Sequence, residues 1–155
     1  MRIRVNLMVL FRNHSWESMM SEKLNQALAI AMSSIPECLA AAYVDLSSGL
    51  LMAVNTVESH PKEVMDMLAA ASSDLFAGKN VVTIENMFKK ARGQAMNSHH
   101  FFQEVIVNSD HTIHVFLRGK RHPEHIACFV CNKSVNLGMA LATSRAVLSD
   151  LETAI

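Results

Sequence analysis

Residues 99–131 restrict the possible folds more than any other stretch, because they read as three consecutive antiparallel strands. Phe101 to Val107 (Phe-Phe-Gln-Glu-Val-Ile-Val) is rich in aromatic and β-branched side chains, which suit a pleated, half-buried surface. Asn108-Ser109-Asp110-His111 supplies turn chemistry, since Asn and Asp tolerate left-handed backbone and bond their own main chain. Thr112 to Arg118 then alternates. Ile113, Val115 and Leu117 fall on one face, and His114, Phe116 and Arg118 on the other. That period of two marks a strand. A polar loop, Gly119 to His125, leads into the apolar run Ile126 to Cys131.

Upstream, Leu24, Leu28, Ala31 and Ile35 recur at helical spacing. They predict a first helix over Ser21 to Ile35, capped by Ser21, with Ser15-Trp16-Glu17 as an earlier alternative start. Pro36 ends it, because the residue before a proline is pushed out of helical conformation. Cys38 to Asp45 and Leu50 to Val57 flank the turn Leu46-Ser47-Ser48-Gly49 and read as a hairpin. Pro61 opens a second helical region, preceded by His60, with Val64, Leu68, Ala71 and Leu75 as its core stripe and Met67 widening it. Gly78 is placed to end that helix in left-handed conformation. Asn80 is placed to cap a continuation in which Val81, Ile84, Phe88 and Ala91 recur, closed by Gly93. The pattern is compatible with two helices or one bent helix. After the strands, Asn132 or Ser134 caps a last helix whose face is Leu137, Leu141, Leu148 and Leu151, with Ser144 between them. Gly138 on it suggests close approach to the sheet.

The order is α-β-β-α-β-β-β-α, which predicts an α+β fold with a single five-stranded antiparallel sheet flanked by helices. At 155 residues the chain is one domain that buries roughly 70% of its unfolded surface and needs no staple. Residues 21–155 form that domain, and residues 1–20 an N-terminal extension. Its Leu7 to Phe11 run is too short for a secretory core or a membrane span. The extension alternates as a strand if ordered, and translation starting at Met19 or Met20 is the alternative.

Fourteen basic and fourteen acidic residues cancel, which argues against nucleic acid as a partner. Three cysteines, an odd count, point to reduced thiols in the cytoplasm. Eleven methionines fit an irregular core. Cys128 and Cys131 have C-x-x-C spacing, but three positions along a strand put them on opposite faces. Buried inert thiols are therefore expected. Of the eight histidines, the pairs His99-His100 and His111-x-x-His114 diverge or straddle a turn. Only His122-x-x-His125, astride Pro123, is spaced as a chelate. Solvated or hydrogen-bonded histidines remain the expectation, with no metal or cofactor and no catalytic residue. Asp45, Glu85 and Glu104 offer no spacing that makes them a carboxylate pair. No Gly-x-Ser-x-Gly turn or glycine-rich phosphate loop occurs. The basic loop Arg118 to His122 and the group Lys89, Lys90 and Arg92 read as solvated faces or as a docking surface for an acidic partner.

Ala41-Ala42-Tyr43-Val44-Asp45-Leu46-Ser47-Ser48-Gly49 and Asn136-Leu137-Gly138-Met139-Ala140, taken with the element order, resemble the roadblock/dynein light chain family over Ser21 to Leu151. These are small homodimerising regulators of nucleoside triphosphatases, related in shape to longin and profilin folds. The stretch Pro61 to Arg92 is longer than the family usually shows. The resemblance implies strand order 2-1-5-4-3, with the Phe101–Val107 strand at an edge that pairs with its twin. Phe101, Phe102, Val105, Ile106 and Val107 are then the dimer interface. It also implies a small GTPase or related NTPase as partner, bound through the middle helices, with Met65, Lys89, Lys90 and Arg92 as contacts. The alternatives are a small-molecule sensor of profilin or PAS shape, and, more remotely, a histidine-based metal protein.

Overall fold

A computed structural model describes the backbone of residues 7–59 and 62–155, and the side chains of 16–59 and 63–155. The chain runs α1 (Leu7–Ser34), β1 (Cys38–Asp45), β2 (Leu50–Thr56), α2 (Lys62–Ala77), α3 (Lys79–Ala91), β3 (Glu104–Asn108), β4 (Thr112–Arg118), β5 (His125–Asn132) and α4 (Leu137–Thr153). The five strands form one antiparallel sheet in the order β2-β1-β5-β4-β3, as expected.

The two sheet faces are covered very unequally. Alternation sends Ala41 and Tyr43 of β1, Ile113, Val115 and Leu117 of β4, and Phe129 and Cys131 of β5 toward α1 and α4. There they meet Leu24, Leu28, Ala31, Ile35, Leu148 and Leu151 in a sealed core. The opposite face holds a much smaller cluster of Val44, Leu46, Phe116 and Ile126 beneath Ala69 and Phe76 of α2. Small side chains there, Ala40, Ala42 and Cys128, leave an apolar groove of about 90 Å³ against Met65, Leu68 and Ser72.

Several expectations are corrected. α1 begins at Leu7, so the Leu7–Phe11 portion of the extension is helical rather than extended, and Ser21 lies inside the helix. Residues 1–6, and His60 and Pro61 at the start of α2, lie outside the described residues. The middle region is two helices. Gly78 separates them at φ −59° and ψ 151°, not in left-handed conformation, and it stands in the N-cap position with no side-chain cap from Asn80. A Cβ at Gly78 would fall 2.5 Å from the Asp74 carbonyl oxygen, so this position needs glycine for space. Gly93 does close α3 with φ +64°. The cap of α4 is Asn136, whose side chain accepts from the Met139 N–H, not Asn132 or Ser134. Gly138 makes no close approach to the sheet, and Leu137 is exposed. Among the described residues no helix is long and apolar enough to cross a membrane.

Candidate interaction surface

The middle helices invert the pattern their sequence suggests. Val64, Leu68, Ala71 and Leu75 have the spacing of a core stripe on α2, yet all four are exposed. The helix instead buries Ala69, Ser73 and Phe76. In α3 the amphipathic face behaves likewise. Ile84 and Phe88 lie open, Phe88 at 49% exposure, while Glu85 and Lys89 are buried at 1% and 3%. Met67 at 75% and Met87 at 65% lie among these residues in the chain. Several large apolar side chains on two consecutive helices are thus exposed, the kind of feature that marks an interaction site when it is contiguous.

A buried polar network explains how α3 holds this posture. Glu85 Oε1 accepts from the Phe101 and Phe102 N–H groups at 2.9 and 3.2 Å, and its Oε2 meets His100 Nδ1 at 2.9 Å. Burial pushes the Glu85 carboxyl upward, but these hydrogen bonds outweigh it and hold the group below the usual glutamate range. Arg118, 3% exposed, donates to the carbonyls of Phe102, Phe76 and Pro123 at 3.0, 2.9 and 2.7 Å. Its guanidinium stacks over the Phe76 ring. Burial lowers its pKa, and the nearby Glu85 charge offsets only part of this. Lys89 reaches the Asn97 carbonyl at 2.7 Å and lies over the Phe101 ring. Buried charges persist when paired and hydrogen-bonded like this. The network clamps the segment before β3 to α2, α3 and the β4–β5 loop.

Among the described residues β3 is an edge strand bonded only to β4. It starts at Glu104, so Phe101 and Phe102 precede it in the clamped segment rather than forming part of the strand. Phe102 packs with Val105 against the small core cluster. Ile106 and Val107 are exposed at 42% and 38%. Glu104 is held below its usual range chiefly by Arg145, which grips it through two hydrogen bonds of 2.7 Å. Among the described residues no helix roofs the exposed part of this rim. Of the expected partner contacts, Lys90 and Arg92 are exposed, Met65 lines the groove under α2, and Lys89 is committed internally. The basic loop is likewise structural in part. Arg118 is buried, and Arg121 bonds the Ser149 carbonyl and Thr153 Oγ1 of α4.

The remaining groups fall apart as chemistry. Asp45 is bonded by Ser47 and Ser48, far from pairing with Glu85 or Glu104. Cys131 faces the larger core and Cys128 the groove; burial pushes the Cys128 thiol up to about 12, so it is a poor nucleophile. Sequence reading missed that Cys38 stands opposite Cys131 across β1 and β5, which strand register alone decides. At about 90 Å³ the groove is well below the roughly 300 Å³ of a small-molecule pocket.

The sheet order, the helices on either side and the free β3 rim together define a roadblock/LC7 fold. No family model and no curated protein matches the sequence. Solved structures do. The gliding protein MglB of Thermus thermophilus superposes with a TM-score of 0.63 at 16% identity, over 87% of this chain and 90% of that one. An MglB with a tetrameric arrangement gives 0.62 at 15%, over 88% and 93%. A Roadblock/LC7 domain of Streptomyces avermitilis gives 0.57 at 11%, over 83% and 94%.

Proposed function

We propose that this protein is a non-enzymatic, homodimeric regulator or scaffold of the cytoplasm that engages a small GTPase or related nucleoside triphosphatase. The observation that carries the reading is the apolar face of α2 and α3 left open in a chain whose β3 rim is also unpaired. An unpaired rim presents N–H and C=O groups to another strand. A second copy, related by a two-fold axis, offers the same patch in return. β3 pairs with its twin through Val105, Ile106 and Val107, while Val64, Leu68, Ile84 and Phe88 pack across the axis. Phe101 and Phe102 support this joint from behind the rim. Each large apolar side chain so covered contributes about 1.5–3 kcal/mol, and a few per subunit hold a dimer. The tetrameric arrangement of one MglB neighbour supports self-association as a use of this fold.

The partner binds the composite surface that two copies create. Lys90 and Arg92, both exposed, contact the partner with Met65 at the groove, and Lys89 acts from within by holding Asn97. The effect on the partner is exerted by differential affinity for its two nucleotide states. Solution mass tests the first step: a dimer is expected, and a monomer at working concentration refutes it. Capture of candidate GTPases in both nucleotide states tests the second. Binding that ignores the nucleotide, or fails with all of them, removes the regulatory assignment.

A further inference from the structure

At the far end of the sheet from the β3–β4 turn, the β4–β5 loop gathers His122, Glu124 and His125. His122 Nδ1 lies 3.3 Å from Glu124 Oε1, and His125 Nε2 lies 3.9 Å from the same oxygen. One donor atom from each residue falls within 4.8 Å of the other two. In a tetrahedral zinc site with bonds of about 2.0–2.1 Å, neighbouring ligand atoms stand roughly 3.3 Å apart. The first edge already has that length, and small side-chain rotations supply the others. The two imidazoles stack with centroids 5.4 Å apart at 17°.

The scaffold beneath these three groups is pinned at nearly every residue. Gly119 N–H donates to the His125 carbonyl and His125 N–H to the His122 carbonyl, both at 2.9 Å. Leu46 N–H donates to the Glu124 carbonyl at 2.7 Å. Buried Glu152 of α4 receives the Arg121 and His122 N–H groups at 2.8 and 2.9 Å. Arg118 holds the Pro123 carbonyl. A ligand set on fixed backbone is what metal binding requires. His125 is the most enclosed member of the set. Its side chain is 14% exposed and packs edge-on against Tyr43. Its Nδ1 is buried without a hydrogen-bond partner, and its Nε2 is beyond bonding distance of Glu124. The orphaned Nδ1 costs stability, and Nε2, on the Glu124 side, is the ring nitrogen left to take a metal.

We propose that His122, Glu124 and His125 bind one zinc-class divalent cation, with a fourth position open to solvent. Two imidazoles and one carboxylate favour Zn²⁺ over Mg²⁺ or Ca²⁺, which seek all-oxygen sets. Glu124 also lines a cleft of about 390 Å³ with Leu46, Ser47 and His100. This site shares no residue with the proposed dimer face and does not depend on the function proposed above.

The test is titration of the chelator-treated full chain with Zn²⁺ and, separately, Mg²⁺, read by calorimetry and by melting temperature. One Zn²⁺ per chain, a raised melting temperature and no comparable Mg²⁺ binding are expected. His122 and Glu124 are partly exposed, so His122→Ala and Glu124→Gln leave the fold intact. Each should weaken Zn²⁺ by more than roughly 100-fold, beyond the 10–100-fold of an outer-shell change. Absence of Zn²⁺ binding overturns the proposal. So does Zn²⁺ binding unaffected by His122→Ala, or lost only in Cys38→Ser or Cys128→Ser.

Discussion

Glu85→Ala removes the centre of the clamp that fixes the chain before β3. The carboxylate accepts from two main-chain N–H groups and from His100, and it faces buried Arg118. Each N–H left without an acceptor costs about 1–3 kcal/mol, with the lower end fitting these partly buried donors. The hydrogen bond to a charged group adds about 1.5–3 kcal/mol. The sum, about 3–5 kcal/mol, equals the usual cost of breaking a buried ion pair. It is a large part of a native stability of about 5–15 kcal/mol. For a chain of this size each kcal/mol moves the melting temperature by about 2–4 °C, so a fall of about 6–20 °C is expected. Urea unfolding should show a lower midpoint with unchanged slope. Glu85→Gln keeps a carbonyl oxygen for Phe101 and Phe102 and should lose roughly half as much. Limited proteolysis should open residues 94–103 in the alanine variant first. A loss under about 1 kcal/mol for Glu85→Ala, or equal losses in both variants, refutes the clamp.

Val64→Glu combined with Ile106→Lys should convert the dimer to monomer in light scattering. The cost to the isolated fold should stay within about 0.5 kcal/mol, because both side chains are already exposed. Gly119→Ala should destabilise by about 1–3 kcal/mol in chemical denaturation, since the new Cβ would meet the His122 carbonyl oxygen at 2.3 Å and Glu152 Oε1 at 2.7 Å. Burial lowers the pKa of His114, so the unfolded chain takes up that proton first as pH falls. Stability should decline from about pH 6.5 downward, and His114→Asn should flatten that part of the pH profile. Below the ordinary carboxylate range a second loss follows as Asp45, Glu85, Glu104 and Glu124 protonate. Each is held low in the native state, so each contributes stability only while ionised.

Local pattern determined much of this protein. The alternation of Thr112 to Arg118, the stop at Pro36, the turn before Gly49 and the 24-28-31-35 spacing each specify backbone conformation within a few residues. Element order and one sealed core followed from them. The same local logic misassigned Val64, Leu68, Ala71 and Leu75 to the interior. Periodicity reports that a helix has an apolar face but not what that face meets, and here it is left largely open by the described chain. The burial of Glu85, Lys89 and Arg118 was equally invisible, because their partners are main-chain groups up to 42 residues away. Only tertiary packing brings those groups together. Sequence spacing encodes faces and turns, which are short-range. Which face is left open, and which charges are enclosed, depends on contacts between segments distant along the chain.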